Sequence, residues 1–170
     1  MDNNYIKNIV RFVSLVLFQV LLLNHMNLGG YINPYVYILF ILLLPVFVNK
    51  SILLLLAFLT GMTIDFFGNT PGLHAAATVL MAFSRPGTLQ VFFEHLDFAA
   101  GEAPNINKLK PGGFLKYVLI MVFIHHSALF FLEIFSFDEI LSTLYRIVLS
   151  TLITTLMIMT LALLFSSRKK

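Results

Sequence analysis

The chain contains no cysteine. Disulfides, thiol nucleophiles and anchoring through a lipidated cysteine are therefore excluded, and redox compartment cannot be read from its composition. Charge is also scarce. Only 11% of its 170 residues are charged, against 59% hydrophobic, and the mean hydropathy is +0.91. A soluble domain carries about 25% charged and about 45–50% apolar residues. Too few charges remain to clothe a water-soluble surface, so lipid is the main solvent. The net charge of +3 comes without a basic face, and nucleic acid is not a partner.

What is present is a series of long apolar runs. A spanning helix needs about 20 mostly apolar residues, with a range of roughly 17–25. The runs predict spans at about 5–23, 34–48, 52–67, 73–83, 114–135 and 140–165. They form one polytopic membrane domain over 1–170, an all-α integral membrane protein built as a compact bundle of about six transmembrane helices. Helices are the default because backbone groups in lipid must bond within their own segment. The second and fourth runs are short, and the fourth leaves open whether it spans fully. Lys7 and Arg11 precede the first run, which ends in Asn24-His25-Met26-Asn27 without a small-x-small cleavage pattern, so it reads as an uncleaved span.

Basic residues give the orientation. With six spans and the N-terminus inside, Lys7, Arg11, Lys50, Arg85, Lys108, Lys110, Lys116, Arg168, Lys169 and Lys170 fall on the cytoplasmic side. The outer loops at 24–33, 68–72 and 136–139 hold no Lys or Arg, and Arg146 is left inside the sixth span. This is a positive-inside pattern with both termini cytoplasmic. The cytoplasmic loop 84–113 is rich in Gly and Pro, and its amphipathic stretch 89–98 predicts a short helix lying at the membrane interface.

Ionisable residues inside a membrane are costly, about 2.5–3.5 kcal/mol at mid-helix on insertion scales, and serve as functional candidates by default. The topology sets Asp65, His74, Glu133 and Arg146 together in the outer leaflet, Arg146 about 9 Å below the start of its helix. Such a cluster reads as an ion-pair staple, with Arg146 joined to Asp65 or to Glu133, or as a binding site for a partner helix or polar ligand. Ala57, Gly61 and Asp65 lie four apart and make a small-residue stripe for close helix packing. Ser142, Arg146, Ser150 and Thr154 form a second stripe with the same spacing. His125 and His126 point about 100° apart on a helix. They read as neutral, hydrogen-bonded groups rather than metal ligands, and no metal or other cofactor is implied. His-Glu-x-x-His, Gly-x-Ser-x-Gly, Gly-x-Gly-Asp and Walker-type patterns are missing from the sequence, so none of these enzyme classes is indicated.

The stretch from Gly61 through Asp65, Pro71, Gly72 and His74 to Ala75 resembles the signature of the MreD family of bacterial rod shape-determining membrane proteins. There a Gly-x-x-x-Asp closes one helix, a Pro- and Gly-containing turn follows, and Gly-x-His/Arg-Ala opens the next. Gly61, Asp65, Gly72, His74 and Ala75 match residue by residue; Arg11 and Gln19 fit the family's opening. The resemblance implies a non-enzymatic scaffold of the cell-wall elongation machinery in the bacterial cytoplasmic (inner) membrane. Its implied partners are an MreC-like single-span protein and, indirectly, MreB filaments, the RodA glycosyltransferase and its transpeptidase, with membrane lipids around it. It also implies a fold similar to the substrate-binding subunits of energy-coupling-factor transporters. An uptake subunit for a vitamin-type small molecule is therefore the alternative function. The first run lacks the alanines that such subunits use for docking between 12 and 23.

Overall fold

A computed structural model describes residues 2–26, 32–134 and 140–166, with side chains from residue 6 onward. The centre of the outer loop 24–33, the outer loop 136–139 and the basic tail Arg168-Lys169-Lys170 lie outside the described residues. Among those described the chain is all-helical and has no strand. The helices are α1 (Asp2–Leu21), α2 (Leu39–Leu42), α3 (Lys50–Gly68), α4 (Leu73–Phe93), α5 (Ile106–Ile134) and α6 (Ile140–Leu164). Single 3-10 turns occupy Leu23–His25 and Val36–Ile38.

Four segments are long and apolar enough to cross a membrane: Ile6–His25, Lys50–Gly68, Ile106–Ile134 and Ile140–Leu164. Exposure follows the pattern of a protein solvated by lipid. Large apolar side chains stand outward along α1, α3, α5 and α6, among them Ile9, Leu17, Leu55, Phe66, Phe123, Leu152 and Leu156. The interior instead holds Gln19, Asp65, His74, Thr78, Arg85, His125, His126, Ser150 and Thr154, each below one-tenth exposed. Water would drive the reverse arrangement. These features mark the chain as a membrane protein.

The expected second span at 34–48 is not a continuous helix. It contains the 3-10 turn at Val36–Ile38, the four-residue α2, and irregular chain up to Asn49. Pro34 and Pro45 bracket it, each without an N–H and each pushing its predecessor out of the helical region. Irregular backbone at membrane depth survives only when protein surrounds it. Here Val36, Tyr37, Ile38, Ile41 and Leu42 are fully buried. The segment forms the centre of the molecule. α1 packs on it and on α3, while α3, α4, α5 and α6 pack consecutively as hairpins, with α6 also reaching the 3-10 turn at Val36–Ile38.

The fourth segment is longer than the run 73–83 suggests. α4 has 21 residues, about 32 Å at 1.5 Å per residue, and continues through Arg85 and Pro86. The connection to α5 therefore shrinks from 84–113 to 94–105. No separate interfacial helix exists at 89–98: residues 89–93 are the last turn of α4, with Leu89 and Phe93 buried beneath it. Arg85 is no loop charge but 0% exposed inside the bundle. α5 in turn opens with a short turn from Ile106 that is broken by the non-helical backbone of Lys110 (φ 59, ψ 160), so its continuous part begins at Pro111, close to the expected Phe114.

Candidate functional site

The tip between α3 and α4 is built on one carboxylate. Asp65 is 3% exposed. Its Oδ1 accepts from Thr70 Oγ1 at 2.9 Å and from the His74 N–H at 3.0 Å, and its Oδ2 accepts from the Ala75 N–H at 2.9 Å. The charge thus sits on the N-terminus of α4, where unpaired amides and the helix dipole favour an anion. Left-handed backbone at Asn69 (φ 53) and Gly72 (φ 86) reverses the chain between the helices. The helices touch at Gly61, where an added Cβ would come within 2.6 Å of the Ala75 nitrogen and the His74 carbonyl oxygen. Ala57 and Ala75 are buried on the same contact.

A second set of polar side chains serves the irregular segment. Gln19 Oε1 accepts from the Val36 N–H at 2.9 Å, and its Nε2 donates to Pro34 O at 3.0 Å and to Asn24 Oδ1 at 2.9 Å. Ser150 Oγ accepts from the Asn33 N–H at 3.1 Å and Thr154 Oγ1 from the Tyr35 N–H at 3.2 Å. At the other end Arg85 donates to Pro45 O at 3.3 Å, closely to Leu44 O, and to Tyr117 Oη at 3.0 Å. Tyr117 donates to Leu42 O at 3.2 Å and Arg11 to Leu43 O at 3.2 Å. Four helices, α1, α4, α5 and α6, thus supply hydrogen bonds that the segment cannot make for itself.

Between these sets lies a buried cluster of tyrosine and histidine. Tyr37 Oη is 3.1 Å from His74 Nδ1, 2.8 Å from His125 Nε2 and 3.1 Å from Thr78 Oγ1. His126 Nδ1 lies 2.9 Å from Val122 O, so that nitrogen carries the proton and Nε2 accepts from Thr154 Oγ1 at 3.2 Å. A directed chain results: the Tyr35 N–H to Thr154, Thr154 to His126, His126 to Val122. The Tyr35 ring packs edge-on against His74 at 4.8 Å. Among the described residues no three His, Asp or Glu side chains converge as a metal site.

The four outer ionisable residues divide into two pairs. Arg146 pairs with Glu133 through two contacts, at 3.0 and 3.2 Å, and its guanidinium lies 4.3 Å from the Phe130 ring. Asp65 and His74 meet at the other tip through backbone, with Asp65 served by amides rather than by a cation. On α6 the buried face runs through Thr143, Ile147, Ser150, Thr151 and Thr154, whereas Ser142 is exposed. The packing stripe therefore turns away from Ser142.

Sequence reasoning assigned no role to Tyr37, Tyr117 or the carbonyl-binding face of Arg85. The available signal was the pair Pro34 and Pro45 around a short run: a span too short for a full helix needs outside partners.

A cavity of about 300 Å³ opens between the end of α1, residues 33–35 and the α3–α4 turn. Gln19, Asn24, Asn33, Tyr35, Thr70 and His74 contribute to its wall. Fold and site together define a multi-helix membrane protein in which Gln19, Arg85, Tyr117, Ser150 and Thr154 serve its own backbone and Tyr37, His74, Thr78 and His125 bond to one another. No family model, no curated protein and no solved structure matches the chain.

Proposed function

We propose that this protein is a non-enzymatic membrane scaffold of the bacterial cell-wall elongation machinery. In this reading it sits in the cytoplasmic membrane with both termini inside and binds an MreC-like single-span partner. Through that partner it positions the RodA glycosyltransferase and its transpeptidase relative to MreB filaments. The observation that carries the reading is the α3–α4 tip. The five residues that resemble the MreD signature, Gly61, Asp65, Gly72, His74 and Ala75, belong to one hydrogen-bonded, close-packed hairpin. A rigid tip of that kind suits a fixed docking surface. Use of the other buried polar groups as backbone caps also supports a structural role.

The deciding experiment is affinity purification of the full chain from a rod-shaped host in mild detergent, followed by mass spectrometry. The scaffold reading expects a single-span protein with a large external domain. Recovery of an ATPase module without such a partner would instead mark an uptake subunit.

A further inference from the structure

We propose that residues 94–103 form a strap that closes the end of the bundle opposite the α3–α4 tip, and that the strap opens as a unit when the clasp between Glu102 and Lys108 is released. The strap joins two fixed points. Phe93, the last residue of α4, is 5% exposed, and Ile106, the first of α5, is 6% exposed. Between them Glu94, His95, Asp97, Ala99, Ala100 and Gly101 are exposed. Leu96 and Phe98 pack against the core only in part. A stretch with so few buried apolar contacts opens at far lower cost than the helices that hold it.

Glu102 is the hub of the strap. Its N–H donates to Ala99 O at 3.0 Å, and its Oε2 accepts from the Ala99 N–H at 2.9 Å. With left-handed backbone at Gly101 (φ 80), residues 99–102 fold into a turn closed on itself. The same Oε2 lies 2.9 Å from Lys108 Nζ, and that ammonium also stands 5.2 Å from the Phe98 ring. The Glu102 carbonyl reaches the irregular segment, where it accepts from the Val46 N–H at 2.9 Å. Val46 follows Pro45, whose carbonyl Arg85 holds, and the carbonyl one helical turn back, Leu42 O, takes the Tyr117 hydroxyl. The Val46 N–H therefore relies on the strap. Both sides of the clasp are reached by water, with side chains 29% exposed at Glu102 and 26% at Lys108. Such a pair contributes little and is readily exchanged. Its release frees a preformed turn rather than unravelling the chain. Lifting the strap uncovers the Val46 N–H beside the carbonyls that Arg85 holds, so the strap sets whether this end of the segment is open to a partner. The inference does not depend on the scaffold reading, and the failure of either leaves the other intact.

The chain has no cysteine, so Lys50→Cys at the start of α3 and Ala100→Cys in the strap, both exposed positions, each take one spin label. Double electron–electron resonance on the purified full chain in lipid nanodiscs should show one dominant distance. Lys108→Met breaks the clasp and keeps the turn. It should raise the population of a second, longer distance at least about threefold. Glu102→Ala also removes the acceptor for Ala99 and should raise it further. Amide exchange of the unlabelled chain, read by fragmentation mass spectrometry, gives a second measure. Lys108→Met should speed exchange at Val46 by about the same factor and leave Val36, whose N–H Gln19 holds, as in the parent. If Glu102→Ala does not fold, Lys108→Met carries the test alone. Unchanged distances or unchanged Val46 exchange in folded Lys108→Met would each overturn the inference. So would a broadened distribution without a second distance, which marks local fraying, or equal acceleration at Val36, which marks general loosening.

Discussion

Asp65 and Glu133 occupy comparable places, each an acid near the end of a helix that is followed by a reversal of the chain. Their surroundings differ. Asp65 is 3% exposed and takes three donors, two of them amides from the first turn of α4. Glu133 has a side chain 40% exposed and faces one cation, Arg146, itself 20% exposed. A carboxylate buried on amides fixes two helices in a single geometry. A carboxylate that meets a single, partly exposed guanidinium constrains its helices through one side-chain contact alone. The α3–α4 tip is thus the more tightly fixed of the two helix pairs, and the α5–α6 pair the less constrained.

That contrast is broken most severely at Gly61. Gly61→Leu drives a side chain into the backbone of Ala75 and His74, which cannot rotate away. Overpacking of an unyielding contact belongs among changes costing more than about 4 kcal/mol. The variant should fail to accumulate as a monodisperse species in fluorescence-detected size exclusion. Gly87→Ala is the control, because nothing lies within 4 Å of an added Cβ there, and it should behave as the parent does.

The irregular segment is the next most sensitive place. Arg85→Met keeps the packing volume but strips the Leu44 and Pro45 carbonyls and the Tyr117 hydroxyl of a donor. Each orphaned buried group costs about 1–3 kcal/mol, so a loss of several kcal/mol in unfolding free energy follows. Gln19→Leu orphans the Val36 N–H and Pro34 carbonyl and should lose about two-thirds as much by the same reckoning. Thermal melts in one detergent order the two variants. Equal stability of Arg85→Met and parent would show that the segment does not depend on its side-chain caps.

The composition made the solvent legible, and the longest apolar runs made α1, α3, α5 and α6 legible, because a lipid-facing helix needs a continuous apolar surface. The centre was not legible. In the run 34–48 hydropathy cannot separate a spanning helix from buried irregular chain, since both are apolar. Arg85 was read by its charge, which counts as a cytoplasmic marker. Its use lies in its donors, which only the neighbouring carbonyls of Leu44 and Pro45 reveal. Four-residue spacing placed Ala57, Gly61 and Asp65 on one face, and they share it. The same spacing linked Ser142 to Ser150, yet the 3.6-residue repeat carries the buried face of α6 through Thr143 and Ile147 and leaves Ser142 exposed. Spacing names residues on a common stripe; the packing partner decides how far the stripe extends.

Arg146 is where the smallest effect is expected and the pairing can be assigned. The sequence left it between Asp65 and Glu133, and the two contacts to Glu133 at 3.0 and 3.2 Å decide the geometry. Because a glutamine at 133 keeps an acceptor oxygen for Arg146, Glu133→Gln should lower stability by about 1 kcal/mol, the charge-assisted part of the contact. Arg146→Ala removes in addition its contact with Phe130, which adds roughly 0.5–1 kcal/mol at such a site. The exchange Glu133→Arg with Arg146→Glu should restore most of the difference, since it recreates the pair with its charges reversed. Asp65→Arg with Arg146→Asp should restore nothing, because an arginine at 65 meets the amides of His74 and Ala75, which also donate. Recovery by that second exchange, measured as the melting temperature of each double variant against its singles, would move the pairing to α3 and remove the distinction between the two helix pairs.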